Sequence, residues 1–168
     1  MFREMRRFKQ ALSIEECESI LERNTSGVLA VSGDNDYPYA VPLSYVYHKS
    51  KLFFHCAPVG HKIDGISRNN KVSFCIIDKD QIMPEKYTTY FRSVIVFGKA
   101  KVIDNEQEKK YAMEVLARKY SPNDEEGIKK EIEKSFNQVC LLELTIDHIS
   151  GKEAIELVKV RQTNAQHS

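Results

Sequence analysis

The stretch FHCAPVGHKID, residues 54–64, gathers two of the five histidines, one of the four cysteines, a proline, a glycine and a lysine directly after an apolar run. Three chemistries are open to it. His55, Cys56 and His61 are all able to bind metal, but neighbours on a strand point to opposite faces, so His55 and Cys56 cannot easily share an ion. No H-E-x-x-H is present, Asp64 stands at no recognisable ligand spacing, and no metal is assigned. Cys56 could act as a nucleophile with His61 as its base, or be a small buried hydrophobe on a strand. Gly60, His61 and Lys62 lie where a strand gives way to a loop and a short helix. There, free amides, the helix dipole, a lysine charge and an imidazole donor converge on an anion such as phosphate. A solvated loop with nothing bound is the other reading of the same residues.

Two further segments bear on the question. PYAVPLSYVY places Pro42, which cannot donate to a ladder, beside Ser44, Tyr45 and Tyr47, so a strand edge, a bulge or a parting of the strand is expected there. TTYFRSVIVFG puts Arg92 and Ser93 in an apolar strand, where a buried arginine needs a partner. A flat, polar-edged ring carrying a phosphate would use all three segments. The alternative for Arg92 is a surface position on an edge strand.

The elements that must position these residues are legible from periodicity. Ser13 and Glu16 have capping-box spacing ahead of Ile14, Cys17, Ile20 and Leu21, which predicts an N-terminal helix within residues 10–24. Residues 27–57 read as a three-stranded antiparallel meander broken at Gly33–Asp36 and at HKSK. A short helix follows, with Ile63 and Ile66 on one face, closed by Asn69 and Asn70. Residues 71–78 and 88–104 are strands, the second bent at Gly98. Residues 106–120 and 124–136 are helices, residues 139–155 a closing strand, and RQTNAQHS a frayed end. The expectation is one α+β domain over residues 1–168, with its main barrel segment at 27–104 and a helical segment at 106–136. It would be mainly β, an antiparallel six-stranded barrel with flanking helices. Neither G-x-G-x-x-G nor G-x-x-x-x-G-K-[ST] occurs.

Composition bounds the partners. With 168 residues, 42% of them hydrophobic, and 25 basic against 24 acidic side chains, a net charge of +1 gives no reason to expect nucleic acid or an anionic membrane. The basic start (Arg3, Arg6, Arg7, Lys9) reads as a solvated arm. No apolar run is long enough for a membrane span or a secretory signal, so a cytoplasmic location is expected. Cys17, Cys56, Cys75 and Cys140 are far apart without a C-x-x-C pair, and read as reduced, mostly buried thiols.

As an ordered set, PYAVPLSYVY, FFHCAPVGHK and SVIVFGKA resemble the pyridoxamine 5′-phosphate oxidase-like flavoproteins, nearest the nitroimidazole-resistance (Nim-type) branch. The likeness runs from Gly27 to Asp104 and loosely through the closing strand. It implies a split β-barrel binding FMN at the interface of a homodimer, with both subunits contributing to each site. On that resemblance His61 and Lys62 hold the phosphate, and the strand Val41, Pro42, Leu43, Ser44 and Tyr45 lies along the isoalloxazine. His55, Cys56 and Ala57 line the cleft, and Arg92 and Ser93 contact the phosphate or ring edge. Family members also bind haem, a deazaflavin or nothing. The additional basic motifs of the vitamin B6 oxidases proper are absent. The implied activity is transfer of electrons from a reduced nicotinamide to a small planar acceptor, with His55 as proton donor or, equally, a packed histidine. The alternative is a flavin- or haem-binding storage or sensor protein without turnover.

Overall fold

The structure is a computed structural model that describes residues 1–165. Seven strands, β1 (Ser26–Ser32), β2 (Pro38–Ser44), β3 (Val46–His48), β4 (Lys51–Cys56), β5 (Lys71–Met83), β6 (Thr88–Val102) and β7 (Cys140–Glu153), form one antiparallel sheet in the order β2-β1-β5-β6-β7-β4-β3. Five helices accompany it: α1 (Ile14–Arg23), α2 (His61–Arg68), α3 (Glu106–Tyr120), α4 (Glu125–Ser135) and α5 (Ile155–Ala165).

The two edge strands of that order, β2 and β3, are consecutive in the chain with only Tyr45 between them. One continuous segment therefore pairs with β1 through its first half and with β4 through its second, and the ring of six expected strands is closed by the chain at Tyr45. The parting falls there and not at Pro42, which stays in register opposite Val28 because an edge strand needs hydrogen bonds on one side only.

Alternation fills the barrel. Leu29 and Val31 of β1, Leu52 and Phe54 of β4, Phe74 and Ile76 of β5, and Val94 and Val96 of β6 are buried in one cluster with Cys17, Ile20 and Leu21 of α1 and Ile66 of α2. The α1 capping box is formed, Ser13 Oγ accepting from the Glu16 amide at 3.2 Å and Glu16 Oε2 from the Ser13 amide at 2.7 Å. β6 bends as expected: its register to β7 shifts between Phe97 and Gly98, where a Cβ on Gly98 would stand 2.1 Å from the Thr145 carbonyl. Outside the barrel, Val46, Phe53 and Leu141 meet Ala112, Met113, Leu116, Ile128 and Ile132 of α3 and α4 in a second cluster.

The C-terminal expectation needs correction. Arg161–Ala165, where a frayed end is expected, continue α5, and Arg161 is held by ion pairs to the buried Glu153 (3.0 Å) and to Glu16. Gln166–Ser168 lie outside the described residues. No helix among the described residues is long and apolar enough to cross a membrane.

At Tyr45 neither ladder serves the backbone fully, and α3 takes over. The Tyr120 hydroxyl accepts from the Tyr45 amide (3.1 Å) and lies within donating distance of the carbonyls of Tyr45 (2.9 Å) and Thr25 (2.6 Å). Replacing Tyr120 with Phe removes these bonds while keeping the ring, so urea unfolding is expected to show a loss of about 1 kcal/mol with an unchanged m-value.

Candidate functional site

α2 begins immediately after the loop that leaves β4, and its first turn is open. Gly60 precedes it with φ +127°, a conformation that side chains rarely adopt, and a Cβ there would meet no atom within 4 Å. The Gly60 carbonyl accepts from the amides of Ile63 (2.9 Å) and Asp64 (3.1 Å), whereas those of His61 and Lys62 have no partner among the described residues. No carboxylate pairs with Lys62 among the described residues either. Two free amides at a helix N-terminus, beside an uncompensated ammonium, form an anion-binding cradle.

His61 is held in a defined tautomer. Its Nε2 accepts from the Asp34 amide at 3.1 Å, so in the neutral ring the proton sits on Nδ1, which remains a donor. The ring stacks on Tyr39 of β2 with centroids 4.1 Å apart. Asp34 Oδ2 stands 3.6 Å from Nε2, and Arg68 donates to Asp34 Oδ1 at 2.7 Å. That hydrogen bond from Arg68 holds the exposed Asp34 carboxyl below its ordinary range.

The other expected site residues divide. Val41 and Leu43 turn half-buried into the barrel core, and Pro42 and Ser44 are exposed on the opposite face of β2. The Tyr45 side chain is fully buried, its hydroxyl donating to the Leu21 carbonyl at 2.8 Å, so it faces the core and no cleft. His55 and Cys56 point to opposite faces, as strand geometry requires. His55 is exposed at a groove of about 590 Å³ beneath α3 and α4, lined by Met113, Leu116, Ile128, Ile132 and Leu141. Cys56 packs against the barrel core, and Ala57 is exposed. Burial and the neighbouring Cys140 thiol push the Cys56 thiol up to about 12 against a smaller opposing pull from Lys62. A thiol so shifted is no nucleophile poised at neutral pH. Cys140 lies directly opposite it in the β4–β7 register, a proximity that spacing along the chain gives no hint of.

Arg92 is far along β6 from the α2 cradle within the same chain. It donates to Glu153 at 2.9 and 3.0 Å and to Asp78 at 3.3 Å, and Arg23 also holds Asp78 at 2.6 Å. Burial pushes the Asp78 carboxyl up, but the bonds from Arg23, Asn24 and Arg92 outweigh it and leave the group below its ordinary value. Ser93 lies between Ile77 and Lys152 on the outer face of the sheet. Among the described residues no group of three or more His, Cys, Asp or Glu side chains is placed to hold a metal ion.

That outer face is a feature the sequence reading missed. Pro42, Val28, Cys75 and Ile95 stand in one cross-strand row, and Ala40, Ala30, Ser73 and Phe97 in the next. Val28, Ile77, Ile95 and Phe97 are exposed, Ile77 by 65%. Phe2 lies over one edge of this apolar surface, stacked on His148 at 4.5 Å and near Phe97 at 5.4 Å. The period-two pattern carried the signal: β1, β2 and β5 keep small or apolar residues on both faces, which an edge exposed to water does not need.

Solved structures of the same fold include the following relatives. A candidate 5-nitroimidazole antibiotic resistance protein from Bacteroides thetaiotaomicron aligns over 85% of this chain and 86% of its own, with 22% identity and a TM-score of 0.73. A FAD-binding protein from Mesorhizobium loti aligns over 86% and 97%, at 25% identity and a TM-score of 0.64. The flavocytochrome Anf3 from Azotobacter vinelandii aligns over 90% and 72%, at 19% identity and a TM-score of 0.75. No curated protein matches the sequence. The pyridoxamine 5′-phosphate oxidase family profile matches residues 13–153. With that match spanning the barrel, the cradle and the helical segment, the chain belongs to the pyridoxamine 5′-phosphate oxidase family.

Proposed function

We propose that the protein is an FMN-dependent oxidoreductase acting as a homodimer. The observation that carries this reading is the open first turn of α2, where the free amides of His61 and Lys62 and the unpaired Lys62 ammonium fit a phosphate monoester. Family membership and the FAD-binding and flavocytochrome relatives support a flavin as the molecule that carries the phosphate.

The protein's part is to hold, orient and shield. The His61 and Lys62 amides, the Lys62 ammonium and the His61 Nδ1–H hold the phosphate, and Asp34 and Arg68 keep the imidazole turned so that Nδ1 donates. Pro42 and Ser44 offer the exposed face of β2 to the ring, with Cys56 and Ala57 beside it. A bound flavin supplies reversible electron transfer between a reduced nicotinamide and a small planar acceptor. His55 opens on the apolar groove under α3 and α4, on the face of β4 away from Cys56, so a proton from its imidazole would reach an acceptor at the flavin only around the exposed end of the strand.

The apolar rows around Val28 and Ile95 support a second copy as the covering partner, since monomers rarely leave such a surface open. Ser93 lies at that face, so its place at a flavin would be on the partner's site. Arg92, bound by Glu153 and Asp78, would reach a phosphate only through the same pairing.

Three measurements test this. The purified protein is expected to be yellow, or to take up a flavin for every chain on titration with FMN; a haem spectrum or an unaltered flavin spectrum overturns the assignment. Lys62→Ala is expected to weaken FMN binding by about 1.5–3 kcal/mol, roughly 10- to 150-fold, and unchanged affinity removes Lys62 from the site. Light scattering is expected to show a dimer that Ile95→Glu converts to monomer, with FMN affinity falling in parallel. A monomeric protein that binds FMN tightly contradicts the shared site.

A further inference from the structure

Cys56 ends β4 and Cys140 begins β7, and the two are direct partners in the antiparallel register. Facing residues in such a pair project to the same face of the sheet, so the two thiols are neighbours. Both cysteines are free. Directly opposed residues in an antiparallel pair have Cα atoms about 4.5 or 5.5 Å apart, according to whether the pair is hydrogen-bonded. Both values lie within the range of about 4.4–6.8 Å between Cα atoms that a disulfide accepts. Cys17 and Cys75 have no such partner: Cys17 is buried in the core on the inner face of α1, and Cys75 stands opposite Val28 and Ile95 on the outer face.

From this placement we infer that Cys56 and Cys140 are a redox-active dithiol, converted to an intramolecular disulfide by exchange with a low-molecular-weight disulfide such as oxidised glutathione. Cys56, the less buried of the two, reacts first. Its thiol gives its proton to solvent and the thiolate attacks one sulfur of the glutathione disulfide. That S–S bond breaks, and one glutathione leaves as the thiolate. Cys140 then loses its proton and attacks Cys56 Sγ, breaking the mixed disulfide and releasing the second glutathione. The protein loses two electrons and two protons, the electrons passing to the oxidant.

Rate and equilibrium pull apart at this pair. The groups facing Cys56 are Cys140 on β7 and Lys62 on α2, and burial with the neighbouring thiol outweighs the lysine, keeping Cys56 protonated at neutral pH. Exchange is therefore slow there and quickens about tenfold per pH unit as the thiolate fraction grows. The same protonation favours the disulfide at equilibrium. Strongly oxidising pairs owe their potential to a stabilised thiolate in the reduced form, and burial denies that stabilisation here, while the β4–β7 ladder already holds the sulfurs side by side. The disulfide would clasp the end of β4, from which the loop to Lys62 departs, to the sheet.

The test is peptide mapping of the full-length protein at mildly alkaline pH. Reduced protein is brought to equilibrium with equal concentrations of reduced and oxidised glutathione, then acid-quenched and alkylated. A peptide cross-linked through Cys56 and Cys140 is expected, with Cys17 and Cys75 alkylated, and dithiothreitol should reverse it. Cys140→Ser is expected to stop at the Cys56–glutathione adduct. Wild-type protein that ends as that adduct, that keeps all four thiols, or that oxidises Cys17 or Cys75 equally overturns the inference. Omitting flavin throughout makes the result independent of the proposed cofactor.

Discussion

Everything in the molecule turns on how one strand serves two neighbours. Residues 38–48 begin on β1 and end on β4, and at Tyr45 the backbone belongs fully to neither ladder. Unpaired backbone groups at a buried residue are costly, and the protein meets them from two directions. The Thr25 carbonyl, just ahead of β1, accepts from the Tyr45 amide at 3.2 Å, and the Tyr120 hydroxyl of α3 reaches both the amide and the carbonyl. The neighbouring Lys119 sets its ammonium 4.4 Å from the centroid of the Tyr45 ring and donates to the Asn24 carbonyl, at the cost of burial that pushes its pKa down. The C-terminal end of α3 is thus the clasp of the barrel, and the position of the helical segment follows from it.

The clasp also fixes where the candidate site lies. Closing the ring puts β4 between β3 and β7, so the loop after Cys56 leaves the sheet at a determined place and α2 starts beside β1 and β2. There the protein spends its charges unevenly. Asp34 is matched by Arg68 and His61, and Asp78 and Glu153 by Arg23, Arg92 and Arg161, whereas Lys62 has no acidic partner among the described residues. An unpaired lysine next to unpaired amides differs physically from the balanced arginine network at the other end of β6. The first is ready for an anion, and the second has already satisfied its charges internally.

How much of this could be read from the sequence depended on whether the cause was local. The capping box at Ser13 and Glu16, the bend at Gly98, the helices on either side of Ser121 and Pro122, and the open turn at Gly60–Lys62 are local, and all were legible. Arg92 was legible in kind, as an arginine needing a partner, but not as the ligand of Glu153 and Asp78, which lie on other strands. α5 was missed because its hold is tertiary, through Arg161 to Glu153 and Glu16, on a segment whose own pattern is weakly amphipathic. The parting at Tyr45 has no local mark, since the missing donor of Pro42 is visible in a sequence whereas a change of neighbour is not.

β4 shows why a single six-residue strand can carry so many roles. Phe54 faces the barrel core, His55 the groove under α3 and α4, and Cys56 the core again, beside Cys140 and near Lys62. The pleat separates His55 from Cys56 more effectively than distance would, since the sheet itself stands between them. A proton donor and an oxidisable thiol can therefore be consecutive in the chain without reacting with one another or sharing a ligand. These environments are set by the register between β4 and β7, in which His55 faces Leu141 and Cys56 faces Cys140. A slip of one residue in that pairing would exchange His55 and Cys56 between faces, burying the imidazole in the core and turning the thiol toward the groove. The β4–β7 ladder is thereby what assigns each of these side chains its chemistry.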